Sequence, residues 1–428
     1  MSLQSFNLFQ QIHLQKSRAN LPIWSFGENE SLRTALTNNV EALFSKKLRP
    51  YGWQIAWGPQ VWKYDLSDAS TPADNAWYAS TAQAPFPDGK TYEAHVVAIA
   101  GTAARSSFDW KVEDFEVGKV VDFNAWTQGW QKRVDDSNDY VAAPSQIDVT
   151  KPYVALGTCT GVYQILTNPS TVDPPATATT ILQYLSGLTG DVKVIFTGHS
   201  LGGALAPTLA LGLVKSGTLK INASNVLVVA SAGASPGDQN FANLFQKTFS
   251  ESKPNDYQTW NVDFFNDRDL VPQAWATVDT ASPDRNLDNI FRIYPHLDHA
   301  TKSKVHTKLD PEIAAIKSTG ITYVPIQGVS FAGPKPMVFI VTWDQLVAAA
   351  VRQHLGAYHH HIFGKNDAGR LASGEAELYS EYFTTPGVHR LNLVQAARLL
   401  PVFRWSEEKD FSAEAAEEYP LDFLLEEK

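Results

Sequence analysis

The sequence predicts an α/β architecture, a mostly parallel central sheet with helices on both faces and additions at the N-terminal and C-terminal ends. Three observations carry that expectation. The apolar, β-branched run Val192 to Phe196 stops at Gly198-His199-Ser200-Leu201-Gly202, and a small-residue helical pattern follows. Two further apolar runs of strand length, Asn225 to Ala230 and Trp260 to Phe265, are separated by helical segments. Strands alternating with helices imply a parallel sheet covered on both sides. Lastly, Trp77-Tyr78-Ala79, the turn Pro87-Asp88-Gly89 and Tyr92 to Ala100 read as a β-hairpin entering that sheet.

The remaining elements follow in chain order. Residues 31–44 place Leu32, Ala35, Leu36, Val40, Leu43 and Phe44 on one helical face, with Ser31 as the expected N-cap. Trp53, Trp57, Trp62 and Trp77 cluster ahead of the hairpin and read as packing surface, because aromatic rings bury large areas. From Ser106 to Pro152 the chain alternates between polar and aromatic residues, with Trp110, Phe115, Phe123, Trp126 and Trp130 among charges. Gly161 to Leu166 looks like the start of a helix, Asp173-Pro174-Pro175 is a loop, and Ile181, Leu182, Leu185 and Leu188 carry a helix toward the Val192 strand. From about Asp367 the chain is rich in Glu and reads as an appended helical segment.

Bulk composition bounds the answer. The chain has 428 residues, more than the ~250–300 at which single cores stop growing, so one large domain with additions is expected. Hydrophobic content of 44% and charged content of 19% are those of an ordinary globular protein. A net charge of −10 argues against a general nucleic-acid binder. One cysteine, Cys159, excludes an intrachain disulfide. Gln4, Asn7, Gln10 and Gln11 interrupt any apolar leader, so the expectation is a cytoplasmic chain, or one exported without a visible signal peptide. No apolar run approaches the 18 or so residues of a membrane span, and nothing fixes the oligomeric state.

The chemistry is concentrated at Gly198 to Gly202. Strand, sharp turn and helix form the context of a nucleophile elbow. Glycines stand at both ends of the turn because helix and strand must pass close together. Ser200 is then held in a strained bend with its hydroxyl exposed, and the first N–H groups of the following helix point at any oxyanion formed there. A serine hydroxyl is a poor nucleophile near neutral pH and needs a histidine to take its proton and a carboxylate to orient that histidine. On an elbow of this type the acid follows the serine and the histidine follows the acid. Asn266-Asp267-Arg268-Asp269 offers two aspartates beyond the third strand, either of which lies where sites in open sheets gather. Among histidines, His13 and His95 precede the serine, and His199 sits inside the elbow and should point away from the hydroxyl. His296, His299 and His306 fall in an expected polar loop, and His354, His359-His360-His361 and His389 remain downstream. The three adjacent histidines cannot share one face of a helix or strand, so no metal is expected there, and no cofactor is required.

These residues resemble the class 3 lipase family, the fungal-type triacylglycerol lipases and plant phospholipase A1 relatives, over roughly residues 75–365. Gly198 to Ala204 is similar to the family's elbow, and Val96 to Thr102 to the strand that ends in its oxyanion turn. Asp109-Trp110 is similar to the Asn-Trp pair shortly after that turn, and Ala232 to Ala242 to its Gly-Ala-Pro-Arg-Val-Gly-Asn…Phe-Ala segment. Asp269-Leu270-Val271-Pro272 matches the Asp-x-Val-Pro that carries its acid, and His354-Leu355-Gly356-Ala357-Tyr358 the His-Leu…Tyr that carries its base. Two departures stand out: Ala100 occupies the position of an arginine common in the family, and 85 residues separate Asp269 from His354.

The resemblance implies an α/β-hydrolase fold at 76–365, carrying a lid-like insertion at about 106–150, whose aromatic part Trp110 to Trp130 is read either as a mobile lid or as plain packing against the core. An N-terminal extension at 1–75 and an acidic C-terminal extension at 366–428 flank it. It implies a serine ester hydrolase with Ser200, Asp269 and His354 as triad, the N–H groups of Leu201 and Thr102 as oxyanion hole, and an acyl-enzyme intermediate. The expected partner is a lipid or other ester, met in one reading at a lipid–water interface. Two alternatives keep the same scaffold: a non-lipid esterase, thioesterase or peptidase, and a catalytically silent binding protein.

Overall fold

The structure is a computed structural model and describes residues 5–20, 22, 25–101, 116–130, 132–134, 140–170, 178–252, 255–278, 280–335, 339–364 and 389–390. Seven strands form the main sheet: β1 (Gln54–Trp62), β2 (Asn75–Pro85), β3 (Thr91–Ile99), β4 (Lys193–His199), β5 (Val226–Ser231), β6 (Val262–Asn266) and β7 (Gly328–Phe331). They lie side by side in chain order, β1 at one edge and β7 at the other. From β3 to β7 every pairing is parallel, and β1–β2 and β2–β3 are antiparallel. A parallel neighbour cannot be reached by a tight turn, so each of those steps is made by a crossover over a sheet face.

Strand alternation sorts the residues onto two cores. Val96, Ala98 and Ile195 face a cluster built with α1 (Leu8–Ala19) and α2 (Asn29–Leu43). Val97, Ile99, Val194 and Phe196 face the opposite cluster, built with α3 (Leu156–Thr167) and α4 (Leu201–Lys215). The α/β architecture expected from the sequence, a mostly parallel sheet with helices on both faces, is the one observed. On the second side a small sheet forms around Tyr153–Ala155, which pairs with Val120–Asp122 and Gly237–Asp238. Further along lie α5 (His299–Ser318), α6 (Trp343–Val351) and α7 (Ala357–Phe363). No helix among the described residues is long and apolar enough to cross a membrane.

Several local expectations shift. The first long amphipathic helix begins at Asn29, two residues before Ser31, with Glu28 preceding it and no side-chain cap. The helix expected at Gly161 starts at Leu156. Its Gly157-Thr158-Cys159-Thr160 stretch has low helix propensity, but it is buried against α4, and packing overrides propensity. His299 and His306 sit on α5, which Asp298 caps at the N-terminus, rather than in a loop. Phe123, Trp126 and Trp130 of the expected aromatic lid are core residues, packed in one cluster with Phe196 and Leu209. Phe123 and Trp126 meet edge to face at 6.0 Å, as do Trp126 and Trp130 at 5.9 Å. Residues 102–115, including Thr102, Asp109 and Trp110, and all of 366–428 apart from His389–Arg390, lie outside the described residues. His389–Arg390 pair antiparallel with Ser25–Phe26.

Because Trp126 is fully buried, Trp126→Ala should cost about 3–5 kcal/mol of stability, measurable by denaturant unfolding. A variant as stable as the wild type would show that this tryptophan is not part of the core.

Candidate active site

Ser200 lies between the end of β4 and the first residue of α4, with φ 62° and ψ −127°. A positive φ is costly for a residue with a Cβ, and it survives here because the surroundings over-determine it. The Ser200 N–H donates to the Ser231 carbonyl at the end of β5 (3.1 Å), and the Ser200 carbonyl accepts from Gly203 N–H (2.8 Å). A Cβ on Gly202 would lie 2.6 Å from the carbonyl oxygens of both Ile99 and Ala100, and one on Gly198 would overlap the Gly202 carbonyl. Side chains at either position would force helix and strand apart, as the sequence reading of the two glycines requires. Leu201 opens α4, so its N–H belongs to the first-turn donors that no carbonyl of the helix takes.

Asp269 lies just beyond β6 and is 1% exposed; His354, also 1% exposed, sits in a π-helical turn, Arg352–Gly356, between α6 and α7. Such bulges recur at functional sites, because widening one turn re-aims a side chain. His354 Nδ1 and Asp269 Oδ2 are 2.8 Å apart. The carboxylate is held from three sides: its Oδ2 also accepts from the Tyr358 hydroxyl (2.9 Å), and its Oδ1 accepts from Val271 N–H (3.0 Å). Tyr358 oxygen in turn accepts from Asn266 N–H (2.9 Å). Asn266 Nδ2 donates to the carbonyl and side-chain oxygen of Gln353, each at 2.8 Å, which ties the His354 backbone to the end of β6. The neighbouring Asp267 accepts from Gly333 N–H (2.9 Å) and serves a turn.

His354 reaches the serine's neighbourhood through His199, whose ring centroid lies 4.5 Å from that of His354. The His199 Nδ1 pairs with the Ser231 hydroxyl (2.9 Å). No hydrogen bond between the Ser200 hydroxyl and His354 occurs among those of the described residues. Burial, reinforced by His354 and Lys16, holds the His199 ring well below its ordinary pKa, so it is neutral. His359 faces His13 and Phe363, whereas His361 packs on Phe331 and bonds Asp256, so the adjacent histidines do diverge.

Behind the elbow lies a polar layer that sequence reasoning missed. Lys16, from α1, is fully buried and donates to the Ser231 hydroxyl (2.7 Å). Burial lowers its pKa to about 7, against the pull of Asp263. Asp263 is pushed up to about 6 by burial, despite Arg285 at 2.8 Å and an N–H donated by Gly233 (3.0 Å). Asn20, at the end of α1, accepts the Gly101 N–H (2.7 Å). The only sequence signal for α1 was Asn7 and Gln10, which form a reciprocal capping box at its N-terminus. Nothing in the pattern marks Lys16 as buried.

Sheet order, crossovers and a serine at the β4–α4 bend define an α/β-hydrolase fold. Residues 133–278 match the family profile described as lipase (class 3). The matched segment contains Ser200 and Asp269 and ends before His354. No curated protein sequence matches the chain. Among solved structures, M37 lipase superposes with a TM-score of 0.59 at 21% identity, covering 87% of this chain and all of its own, and shares the fold. The lipase from Rhizopus microsporus var. chinensis matches at 15% identity over 60% of this chain and 74% of its own, TM-score 0.30. The mono- and diacylglycerol lipase from Aspergillus oryzae matches at 16% over 63% and 75%, TM-score 0.29.

Tyr358→Phe removes a donor from Asp269 and leaves the buried Asn266 N–H without its acceptor. The expected loss is about 1–3 kcal/mol of stability in chemical denaturation.

Proposed function

We propose that this protein hydrolyses lipid esters through a Ser200–His354–Asp269 triad and an acyl-enzyme. The observation that carries the reading is the buried Asp269–His354 pair, converging on the side of the sheet where Ser200 is strained into a positive-φ bend. The lipid character of the ester rests on the class 3 lipase match over residues 133–278.

In this reading Ser200 Oγ attacks the ester carbonyl carbon while His354 Nε2 takes the hydroxyl proton. Asp269 on Nδ1 fixes the tautomer that leaves Nε2 free to accept, and stabilises the imidazolium that results. The carbonyl oxygen becomes an oxyanion, held by the Leu201 N–H and, as the family resemblance implies, by that of Thr102. Collapse expels the alcohol, which receives the proton from His354. Water then attacks the acyl-enzyme with His354 again as base, releasing the acid and restoring Ser200. The serine–histidine hydrogen bond is assigned to the substrate-bound state, since such bonds are often long in free enzymes and tighten on binding.

Ser200→Ala should leave the fold intact and lower ester turnover by about 10⁴- to 10⁶-fold. A fluorophosphonate should label the wild type at Ser200 and fail to label the variant. Undiminished turnover by Ser200→Ala refutes the assignment. Asn20→Ala, which frees the Gly101 turn, should reduce kcat about 10-fold with little change in KM, checked by steady-state kinetics on a soluble ester.

A further inference from the structure

Helix α1 is unusual in what it buries. Ten of its twelve residues are inside, and they include Gln11, His13, Gln15, Lys16 and Arg18. Gln15 is answered by the Ser80 hydroxyl, and its carbonyl by the hydroxyl of Tyr78; Gln11 accepts from the Trp53 indole. These contacts anchor the helix to β2 and to Trp53, the residue before β1. Lys16 reaches in a different direction, to Ser231 at the end of β5.

Ser231 is the residue on which the elbow hangs. Its carbonyl accepts the Ser200 N–H, and its hydroxyl lies between Lys16 Nζ (2.7 Å) and His199 Nδ1 (2.9 Å). His199 is the residue before the serine, and its ring packs 4.5 Å from the ring of His354 and 5.0 Å from that of Tyr358. A continuous chain of contacts therefore runs from Lys16 through Ser231 and His199 to the imidazole and its tyrosine neighbour. The cationic and titratable groups around Lys16 are His13 on its own helix, Asp263 on β6 and His199 on the elbow, with His359 facing His13 from α7. An apolar side chain would fill the same space without the cost of desolvating an ammonium, so packing alone does not account for a lysine.

We propose that Lys16 is a positioning residue for the reaction, orienting the His199 ring through the Ser231 hydroxyl so that His354 is held in register with Ser200. The proposal rests on the triad reading above. Lysine suits this place because its Nζ donates one hydrogen bond to the Ser231 oxygen, which leaves that hydroxyl's own proton free to be donated to His199 Nδ1. The neutral His199 then presents one fixed tautomer and one fixed ring plane to His354.

The test is a double-mutant cycle on the full chain, with kcat expressed per site titrated by a fluorophosphonate. Lys16→Met should melt at the same temperature as wild type or higher, because it removes a buried charge, yet lose about 10- to 100-fold in kcat with KM within twofold. Ser231→Ala should show the same kcat loss, and the double variant should lose no more than Ser231→Ala alone, since both act through one path. A Lys16→Met protein with wild-type kcat per site overturns the proposal. So do kcat losses that multiply in the double variant, and so does a fall in melting temperature with kcat per site unchanged. Failure of the underlying reading is separately visible, as a wild-type protein that neither labels at Ser200 nor turns over esters.

Discussion

The structure depends on backbone meeting backbone at the end of β4. The main chain at Gly202 lies against the carbonyls of Ile99 and Ala100, and that at Gly101 against His199 and Ser200. With so little room, the chain between β4 and α4 has one way to turn, and Ser200 takes the φ that this turn demands. Strain of this kind is stable only where rigid elements enclose it. Two parallel neighbours, β3 and β5, supply that enclosure, one through the Gly101 turn and the other through the Ser231 carbonyl. A central position in the sheet is thus a requirement of the bend, because an edge strand would confine it on one side only.

The second constraint comes from polar groups that the two cores leave between them. Asp269, Tyr358, Asn266 and Gln353 form a closed set of buried hydrogen bonds on the side that carries His354. Behind the serine, the Ser231 hydroxyl bonds Lys16 and His199, and Asp263 pairs with Arg285. Buried networks of this kind rigidify a site when every member is satisfied, and they destabilise the fold when one partner is lost. The histidine is therefore placed by a sheet end, a π-turn and a tyrosine together. Its distance in sequence from Asp269 matters less than the tie from Asn266 to Gln353, which fixes where the turn begins.

How much of this could be read from the sequence divides along physical lines. The elbow was legible because steric exclusion writes glycine at fixed offsets from a serine. The central strands were legible because burial on both faces writes continuous β-branched runs. Asp269 was separable from Asp267 only through the family resemblance, since both satisfy the same local turn preferences; the geometry then gives Asp267 to a turn and Asp269 to His354. Phe123, Trp126 and Trp130 fall in the segment where the family resemblance implies a lid, with packing against the core as the other reading. They fill the cluster under α4. Helix α1 was illegible for another reason: Gln11, His13, Gln15, Lys16 and Arg18 are buried among Leu8, Phe9, Ile12, Leu14 and Ala19, and polar residues on the inward side mask the apolar periodicity.

That masking bears on what the N-terminal helix is for. A helix recruited only to cover a sheet face would carry the apolar stripe that α2 carries, with Leu32, Ala35, Leu36, Val40 and Leu43 inward. Helix α1 covers the same core and in addition delivers an amide acceptor to Gly101 and an ammonium to Ser231, at the two backbone points that flank Ser200. Both contacts fall within its last turn and a half, from Lys16 to Asn20, and both span about 80 residues or more of chain. A helix joined to the centre at two points resists rotation about its axis as well as translation, because either motion must break one bond or the other. The same rigidity acts in reverse on the Gly101 turn and on Ser231, whose positions are then set from outside the sheet as well as within it. It follows that α1 and Asn20, which lie outside the matched segment 133–278, are wired to the elbow as directly as the strands are.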